Sequence, residues 1–314
     1  MNECILNAGR LPPSLLARLG ERFELLMLPD AAEREGFLAM HGARVRGIVT
    51  SAAVGVEAAL IDQLSELQVI SSFGVGLDKL PLQRAHQRGI AVGYTPDVLN
   101  DCVADLGFAL LLDVARRIAE ADRFVRAGAW PRAAFPLARK VSGARLGLVG
   151  LGRIGRTIAQ RSSGFEMAVR YHSRRPVADV AWTHEPDLRA LAEWADYLVV
   201  ITSGGPETRH LIDAGVIDAL GPDGVLINVA RGSVVDEHAL VQALLDGRLG
   251  GAGLDVFADE PNVPEALFTC DRVVLTPHIA SATRETRQAM ADRVFDNLDA
   301  WFSSGRLISA AAPA

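Results

Sequence analysis

One stretch decides how the rest of the chain is interpreted, namely Arg145-Leu-Gly-Leu-Val-Gly-Leu-Gly-Arg-Ile-Gly155. Its apolar first part, 146–149, is typical of a buried parallel strand, and the residues after it predict a helix. Gly150, Gly152 and Gly155 follow the strand in G-x-G-x-x-G spacing. Such glycines permit a tight turn, a close approach of the backbone to a pyrophosphate, and close packing of helix on strand. We therefore predict a dinucleotide site here rather than an ordinary strand–turn–helix corner.

Short apolar segments after this stretch predict the remaining strands of a dinucleotide-binding sheet. The expected strands are 167–171, 197–201, 225–228, 251–256 and 273–275, and the expected helices are 188–194, 208–219 and 237–246. Strands that alternate with helices favour a parallel sheet covered on both faces, as in doubly wound dinucleotide-binding domains. We assign residues 99–284 to an NAD(P)-binding Rossmann domain.

The first part of the chain shows a second alternation of the same kind. The expected strands are 23–28, 47–50, 69–73 and 90–94, and the expected helices are 13–19, 56–64 and 80–88. A last helix, 283–302, is long enough to return to this part. We predict an α/β fold of two doubly wound parallel-sheet domains, with the Rossmann domain inserted into a flavodoxin-like substrate domain at 1–98 and 285–314.

Composition and charge narrow the class of protein. A chain of 314 residues is long enough for two domains with their own cores. The net charge of −6 argues against nucleic acid or an anionic membrane as the main partner. No apolar run approaches the roughly 18 residues of a membrane span, and the N-terminus does not resemble a signal peptide. Cys4, Cys102 and Cys270 are far apart, so we expect a cytoplasmic protein with neither disulfide framework nor metal site.

A long amphipathic segment leads into the Rossmann domain. It begins near Asn100, a plausible N-cap, and keeps apolar residues at helical spacing to about Ala127. A helix of this length either bridges two domains or packs on a second subunit. We predict a homodimer formed through the 101–127 region.

Three charged residues follow predicted strands of the Rossmann domain. Arg231 comes after the strand 225–228, Glu260 after 251–256, and His278 after 273–275. Ligands bind at this carboxyl edge of open α/β sheets. A guanidinium can hold a carboxylate bidentately, and a carboxylate beside a histidine favours its protonated form. Each residue alone would as readily be a turn or packing residue, but together with a nicotinamide they suit reduction of a 2-keto acid.

The end of the second Rossmann strand decides between NAD and NADP. An NAD site places Asp or Glu there, about 20 residues after the glycines, to bind the ribose 2′-hydroxyl. This chain continues instead from His172 with Ser173, Arg174 and Arg175, a hydroxyl and two guanidiniums that attract a 2′-phosphate. The alternative is that both arginines are only solvated. We predict that NADPH binds in preference to NADH.

Six motifs make the chain similar to the D-isomer-specific 2-hydroxyacid dehydrogenases, over about 69–302. They are Ser71-Ser-Phe-Gly-Val-Gly-Leu-Asp78, Thr95-Pro-Asp-Val-Leu99, Val149-Gly-Leu-Gly-Arg-Ile-Gly155, Leu226-Ile-Asn-Val-Ala-Arg-Gly232, Gly250-Gly-Ala-Gly-Leu-Asp-Val-Phe257 and Pro277-His-Ile-Ala-Ser281. Within this family the chain most resembles NADPH-dependent glyoxylate and hydroxypyruvate reductases, including plant-type hydroxyphenylpyruvate reductases. The resemblance implies reduction of small 2-keto acids, such as glyoxylate and hydroxypyruvate, to D-2-hydroxy acids.

The resemblance also implies roles for individual residues. It makes Arg231 the residue that holds the substrate carboxylate, Glu260 the partner of the histidine, and His278 the acid/base. It makes the backbone N–H groups of Val75 and Gly76 further ligands of the carboxylate. It implies Ser281 as a further substrate ligand. It also implies that Asp255 contacts the nicotinamide amide. The other cofactor ligands that it implies are Gly150, Leu151, Gly152, Arg153, Ile154, Gly155, Ser173, Arg174, Arg175, Thr202, Thr208 and Val229.

The resemblance further implies a twofold axis beside the long helix, with Trp130 reaching the site of the neighbouring subunit. One loop departs from the family, because Ser203-Gly204 stands where many relatives have proline and leucine.

Two other functions remain open from the sequence. One is reduction of aryl pyruvates such as phenylpyruvate or hydroxyphenylpyruvate, and the other is a non-catalytic, dinucleotide-sensing role like that of corepressors with this fold. The acidic charge and the reductase-like motifs favour the enzyme.

Overall fold

The computed structural model describes residues 2–312 and divides into two compact units. One unit combines Met1–Leu99 with Thr283–Ala314, and the other is Asn100–Ala282. The middle of the chain is therefore inserted into a unit built from both ends, as the sequence predicts for this fold class.

The first unit is built on a five-stranded parallel sheet. Its strands are β1 (Cys4–Asn7), β2 (Glu24–Met27), β3 (Val45–Ser51), β4 (Val69–Phe73) and β5 (Ala91–Gly93). Their spatial order, β2-β1-β3-β4-β5, is that of flavodoxin-like folds. The strand β4 is buried along its whole length, which explains its unbroken apolar and small-residue sequence.

Five helices cover this sheet. They are α1 (Pro13–Arg22), α2 (Ala31–His41), α3 (Ala58–Gln63), α4 (Leu82–Gln87) and a C-terminal helix (Arg284–Ser304). The C-terminal helix returns to the sheet as predicted, since the Ser71 hydroxyl on β4 donates to its Val294 carbonyl at 3.2 Å. The sequence did not predict β1 or α2. The helix α2 buries only Leu38 of its side chains, so its periodic signal is weak.

The second unit contains a seven-stranded parallel sheet. Its strands are β6 (Arg145–Val149), β7 (Ala168–His172), β8 (Thr183–His184), β9 (Tyr197–Val200), β10 (Val225–Asn228), β11 (Gly251–Leu254) and β12 (Val273–Leu275). The order β12-β11-β10-β9-β6-β7-β8 places β6 at the point where the winding reverses, as in a Rossmann fold. The predicted fold class, two doubly wound parallel-sheet domains, is confirmed.

The helices of the second unit follow the prediction except in two places. They are α5 (Asn100–Arg116), α6 (Ile118–Arg126), α7 (Arg153–Arg161), α8 (Leu188–Trp194), α9 (Ala214–Leu220) and α10 (Glu237–Leu245). The helix predicted from residue 208 begins only at Ala214, because the Asp213 carboxylate caps it by accepting from the Val216 N–H at 2.9 Å.

The prediction of a single long helix over 101–127 is wrong. It is interrupted at Arg117, whose backbone is left-handed with φ of +54°. The Asp113 carboxylate accepts from the Ala119 N–H at 2.8 Å, and the Arg117 guanidinium pairs with Glu120. These contacts start α6 as a separate helix. Apolar spacing alone did not reveal the break, because a single left-handed residue leaves the pattern on either side intact.

Among residues 2–312, no helix has the combined length and apolarity needed to cross a bilayer. Within the same residues no group of three His, Cys, Asp or Glu side chains could hold a metal ion. Cys4, Cys102 and Cys270 are free thiols, and burial raises the pKa of Cys4.

Candidate active site

The loop between β6 and α7 has the backbone geometry of a dinucleotide site. Gly150 has φ of +106°, and a Cβ there would lie 2.9 Å from the backbone nitrogen of Thr202. A Cβ on Gly155 would lie 2.5 Å from the Gly150 carbonyl oxygen, so α7 packs directly on the loop. At Gly152, the N-cap of α7, a Cβ would meet no described atom within 4 Å. The backbone at the start of α7 is thus uncrowded at Gly152, and a glycine loop that leads into a helix N-terminus fits a pyrophosphate.

The other residues predicted to bind the cofactor near this loop lie on neighbouring elements. Leu151 is buried between the glycines, Arg153 and Ile154 begin α7, and Val229 is buried just after β10. Thr202 follows β9 and approaches Gly150 as described above. The Thr208 hydroxyl donates to the Ser203 carbonyl at 2.8 Å and so closes the loop that contains Ser203 and Gly204. Cofactor contacts of these residues stay predictions.

One of the two arginines after β7, Arg174, forms an ion pair with a carboxylate. The Ser173 hydroxyl donates to the Arg175 carbonyl at 2.7 Å and shapes a turn. The Arg174 guanidinium lies 2.7 Å from Glu207, and both side chains are exposed. Glu207 was not predicted from the sequence, because it follows a different strand and no local pattern links it to Arg174.

His278 and Glu260 form the hydrogen-bonded pair that the sequence predicts. His278 Nδ1 lies 2.8 Å from Glu260 Oε2, and Glu260 Oε1 accepts from the Phe257 N–H at 3.1 Å. Burial alone would raise the pKa of the Glu260 carboxyl. The hydrogen bond and charge of His278, the Phe257 bond and the charge of Arg231 outweigh burial and hold this pKa below its usual value. An ionised Glu260 accepts only, so Nδ1 is the donor and Nε2 is left for chemistry.

A buried carboxylate, Asp255, holds the segment that carries His278. Its oxygens accept from the Thr276 hydroxyl at 2.7 Å, the Ile279 N–H at 2.8 Å and the Ala280 N–H at 3.0 Å. The His278 N–H also donates to the Asp255 carbonyl at 2.9 Å. These contacts sustain a left-handed backbone at His278, with φ of +52°. Burial raises the pKa of the Asp255 carboxyl, although the three hydrogen bonds oppose it. The contact of Asp255 with the nicotinamide amide stays a prediction.

Arg231 stands on a loop that the Asn228 side chain braces. Asn228 accepts from the Ala230 N–H and donates to the Arg231 carbonyl, both at 3.1 Å. The Arg231 guanidinium donates to the Ala230 carbonyl at 2.7 Å. Its charge is one cause of the lowered pKa of Glu260, and the charge of His278 is another. The structure therefore places Arg231 and His278 near enough to Glu260 for their charges to act on its carboxylate.

A backbone contact joins the loop of Arg231 to the loop of Glu260. A Cβ on Gly232 would lie 1.9 Å from the carbonyl carbon of Phe257, a distance that forbids any side chain there. The Glu237 carboxylate, at the start of α10, accepts from the Ala258 N–H at 3.0 Å and holds the same loop. Neither the role of Gly232 nor that of Glu237 was predicted from the sequence. The only sequence signal was a glycine directly after Arg231.

The predicted substrate-binding residues lie in turns. Val75 and Gly76 follow β4 in the first unit and are half-buried. Gly74, just before them, has φ of +144° and donates its N–H to the Thr95 hydroxyl at 3.1 Å. Ser281 is half-buried in a turn of the second unit, after β12. Their contacts with a substrate stay predictions.

Comparison with known proteins places the chain among relatives of known activity. Residues 108–280 match the family described as D-isomer specific 2-hydroxyacid dehydrogenase, NAD binding domain. The chain is 47% identical over 291 residues to glyoxylate/hydroxypyruvate reductase A of Arabidopsis thaliana, with 93% of each protein covered. It is 48% identical to the hydroxyphenylpyruvate reductase of Plectranthus scutellarioides, again over 93% of each. The family resemblance noted in the sequence is confirmed.

A solved structure supports the same relationship. The chain is similar to the NADPH-dependent glyoxylate/hydroxypyruvate reductase of Sinorhizobium meliloti in complex with NADP and malonate. The TM-score is 0.91 at 43% identity, and the alignment covers 100% of this chain and 98% of the other.

Proposed function

The chain belongs to the D-isomer-specific 2-hydroxyacid dehydrogenase family of oxidoreductases, and on this premise we propose that it is an NADPH-dependent reductase of small 2-keto acids. Glyoxylate and hydroxypyruvate are the proposed substrates, and D-2-hydroxy acids the products. The observation that carries the proposal is the His278–Glu260 pair at 2.8 Å, held beside Arg231 in an NAD(P)-binding unit.

His278 is the proposed proton donor. With Nδ1 bonded to Glu260, the protonated ring can deliver a proton from Nε2 to the keto oxygen. The Glu260 carboxylate stabilises the imidazolium, because its lowered pKa keeps it ionised near neutral pH. When bound, the nicotinamide supplies the hydride.

Arg231 is the proposed anchor of the substrate carboxylate. A guanidinium pairs bidentately with a carboxylate, which orients a 2-keto acid as well as binding it. We keep the peptide N–H groups of Val75 and Gly76, and Ser281, as predicted substrate ligands on the strength of the family motifs. The first unit is accordingly the proposed substrate domain.

Steady-state reduction of a panel of 2-keto acids tests the substrate class. Glyoxylate and hydroxypyruvate are expected to have the highest kcat/KM. The relative named hydroxyphenylpyruvate reductase favours aryl pyruvates as a second candidate class, and a higher kcat/KM for phenylpyruvate would select it. A chain that binds NADPH but reduces no member of the panel would instead point to a non-catalytic sensor.

The cofactor preference has its own prediction. Replacing Arg174 and Arg175 together by alanine is expected to raise Kd for NADPH roughly 10- to 100-fold, since charge-assisted bonds to a 2′-phosphate are lost. The binding of NADH, which lacks that phosphate, serves as the internal control. Fluorescence titration of both reduced cofactors measures the effect. Equal losses for the two would mean that these arginines do not recognise the phosphate.

A homodimer is the proposed assembly. The α6 segment and the loop after it expose Ile118, Val125, Trp130 and Leu137, and Leu137 is 98% exposed. Apolar side chains gathered on one exposed segment favour a partner surface, and a second copy is the partner that the family resemblance implies, with Trp130 reaching the neighbouring site. Sedimentation velocity at micromolar concentration checks this, and a monomer there would contradict it. The cytoplasmic location stays a prediction from cysteine usage.

A further inference from the structure

The ion pair between Arg174 and Glu207 joins the two loops on either side of the glycine loop. Arg174 follows β7 and Glu207 follows β9, and these strands flank β6 in the sheet. Neighbouring strands lie about 4.8 Å apart, so the loops after β7 and β9 start about 10 Å apart across the carboxyl end of β6. The pair therefore bridges the edge of the sheet where the cofactor is proposed to bind.

Glu207 is held at this place by its backbone. It lies in a single 3-10 turn, Pro206–Thr208, that two hydrogen bonds close. The Thr208 hydroxyl donates to the Ser203 carbonyl at 2.8 Å, and the Thr208 N–H donates to the Gly205 carbonyl at 3.2 Å. The backbone that carries Glu207 is therefore held on the β9 side of the glycine loop, opposite Arg174 on the β7 side.

We propose that Glu207 is a specificity-determining residue that competes with the 2′-phosphate of NADPH for Arg174. The inference rests on the proposed preference for NADPH. A bound 2′-phosphate would take the guanidinium from a carboxylate that now lies 2.7 Å away, and the carboxylate would also repel the phosphate. Both effects weaken NADPH binding and leave NADH nearly unaffected. Glu207 thus sets how strongly this enzyme prefers NADPH.

The test replaces Glu207 by glutamine, which keeps the size of the side chain and removes its charge. Kd for NADPH and for NADH is measured by fluorescence titration, without substrate and at one fixed ionic strength. The Glu207→Gln variant is expected to bind NADPH about 3- to 5-fold more tightly, the upper range for one exposed ion pair. The ratio of Kd for NADH to Kd for NADPH is expected to rise by the same factor.

Asp62→Asn is the matched control. Asp62 pairs with Arg84 at 2.7 Å in the first unit, both side chains are exposed, and the change removes the same charge. This variant is expected to keep the wild-type ratio of the two dissociation constants. In an Arg174→Ala background the effect of Glu207→Gln is expected to be smaller than in wild type, because competition for the guanidinium is gone and only repulsion of the phosphate remains.

The outcomes separate this inference from the proposed cofactor preference. An unchanged or weakened affinity of Glu207→Gln for NADPH would overturn the role of Glu207, provided that Arg174→Ala still weakens NADPH binding. If Arg174→Ala leaves both affinities unchanged and wild type binds the two cofactors equally, the NADPH preference itself is overturned.

Discussion

Replacing His278 by asparagine is expected to lower kcat by roughly 10²- to 10⁴-fold, because a general acid is lost. Asparagine is the suitable substitute, since it tolerates the left-handed backbone that His278 adopts with φ of +52°. Dissociation constants for NADPH are expected to stay within a fewfold of wild type. Steady-state kinetics with hydroxypyruvate and a cofactor titration measure the two quantities. A His278→Asn variant that retains most of its turnover would refute the assignment.

A second histidine offers a matched control. His210 also has a left-handed backbone, with φ of +50°, and it is exposed. His210→Asn is therefore expected to keep wild-type kcat. Glu260→Gln is expected to lower kcat, because the neutral amide no longer stabilises the imidazolium that donates the proton.

Replacing Gly232 by alanine is expected to lower both stability and activity. The new Cβ would lie 1.9 Å from the Phe257 carbonyl carbon, so the two backbones must separate. Overpacking costs about 1–3 kcal/mol, which corresponds to a fall in Tm of roughly 2–12 °C for a unit of this size. The separation also moves the loop of Arg231 relative to that of Glu260, and a misplacement of about 1 Å can cost on the order of 10²-fold in rate.

Gly164→Ala is the control for this change. A Cβ on Gly164, in the same unit, would meet no described atom within 4 Å. This variant is expected to keep the Tm and kcat/KM of wild type. Differential scanning calorimetry and steady-state kinetics compare the two variants. Wild-type values for Gly232→Ala would show that the two loops are not in backbone contact.

Local sequence was enough to predict most of the second unit. The strand β10 and the helix α8 have the bounds that the apolar patterns predicted, because buried parallel strands and amphipathic helices leave a signal within a few residues. The fold class followed from the alternation of such segments. The break at Arg117 was missed, since it depends on a capping bond from Asp113 rather than on the periodicity.

The sequence by itself determined the candidate chemistry of this protein. The glycine spacing after β6, the arginines after β7, and Arg231, Glu260 and His278 after their strands were all found from short motifs. Each signal is local, because a turn, a charge or a proton donor belongs to one residue and its neighbours. These motifs also carried the family resemblance, which the comparisons confirm.

Only the tertiary structure decided which of these residues meet. The pairing of Arg174 with Glu207 joins loops from two different strands, and the contact of Gly232 with Phe257 joins two more. The buried Asp255 carboxylate likewise joins the end of β11 to the segment after β12 that carries His278. Such contacts depend on the order of strands in the sheet. That order results from the packing of the whole unit, and no short stretch of the chain encodes it.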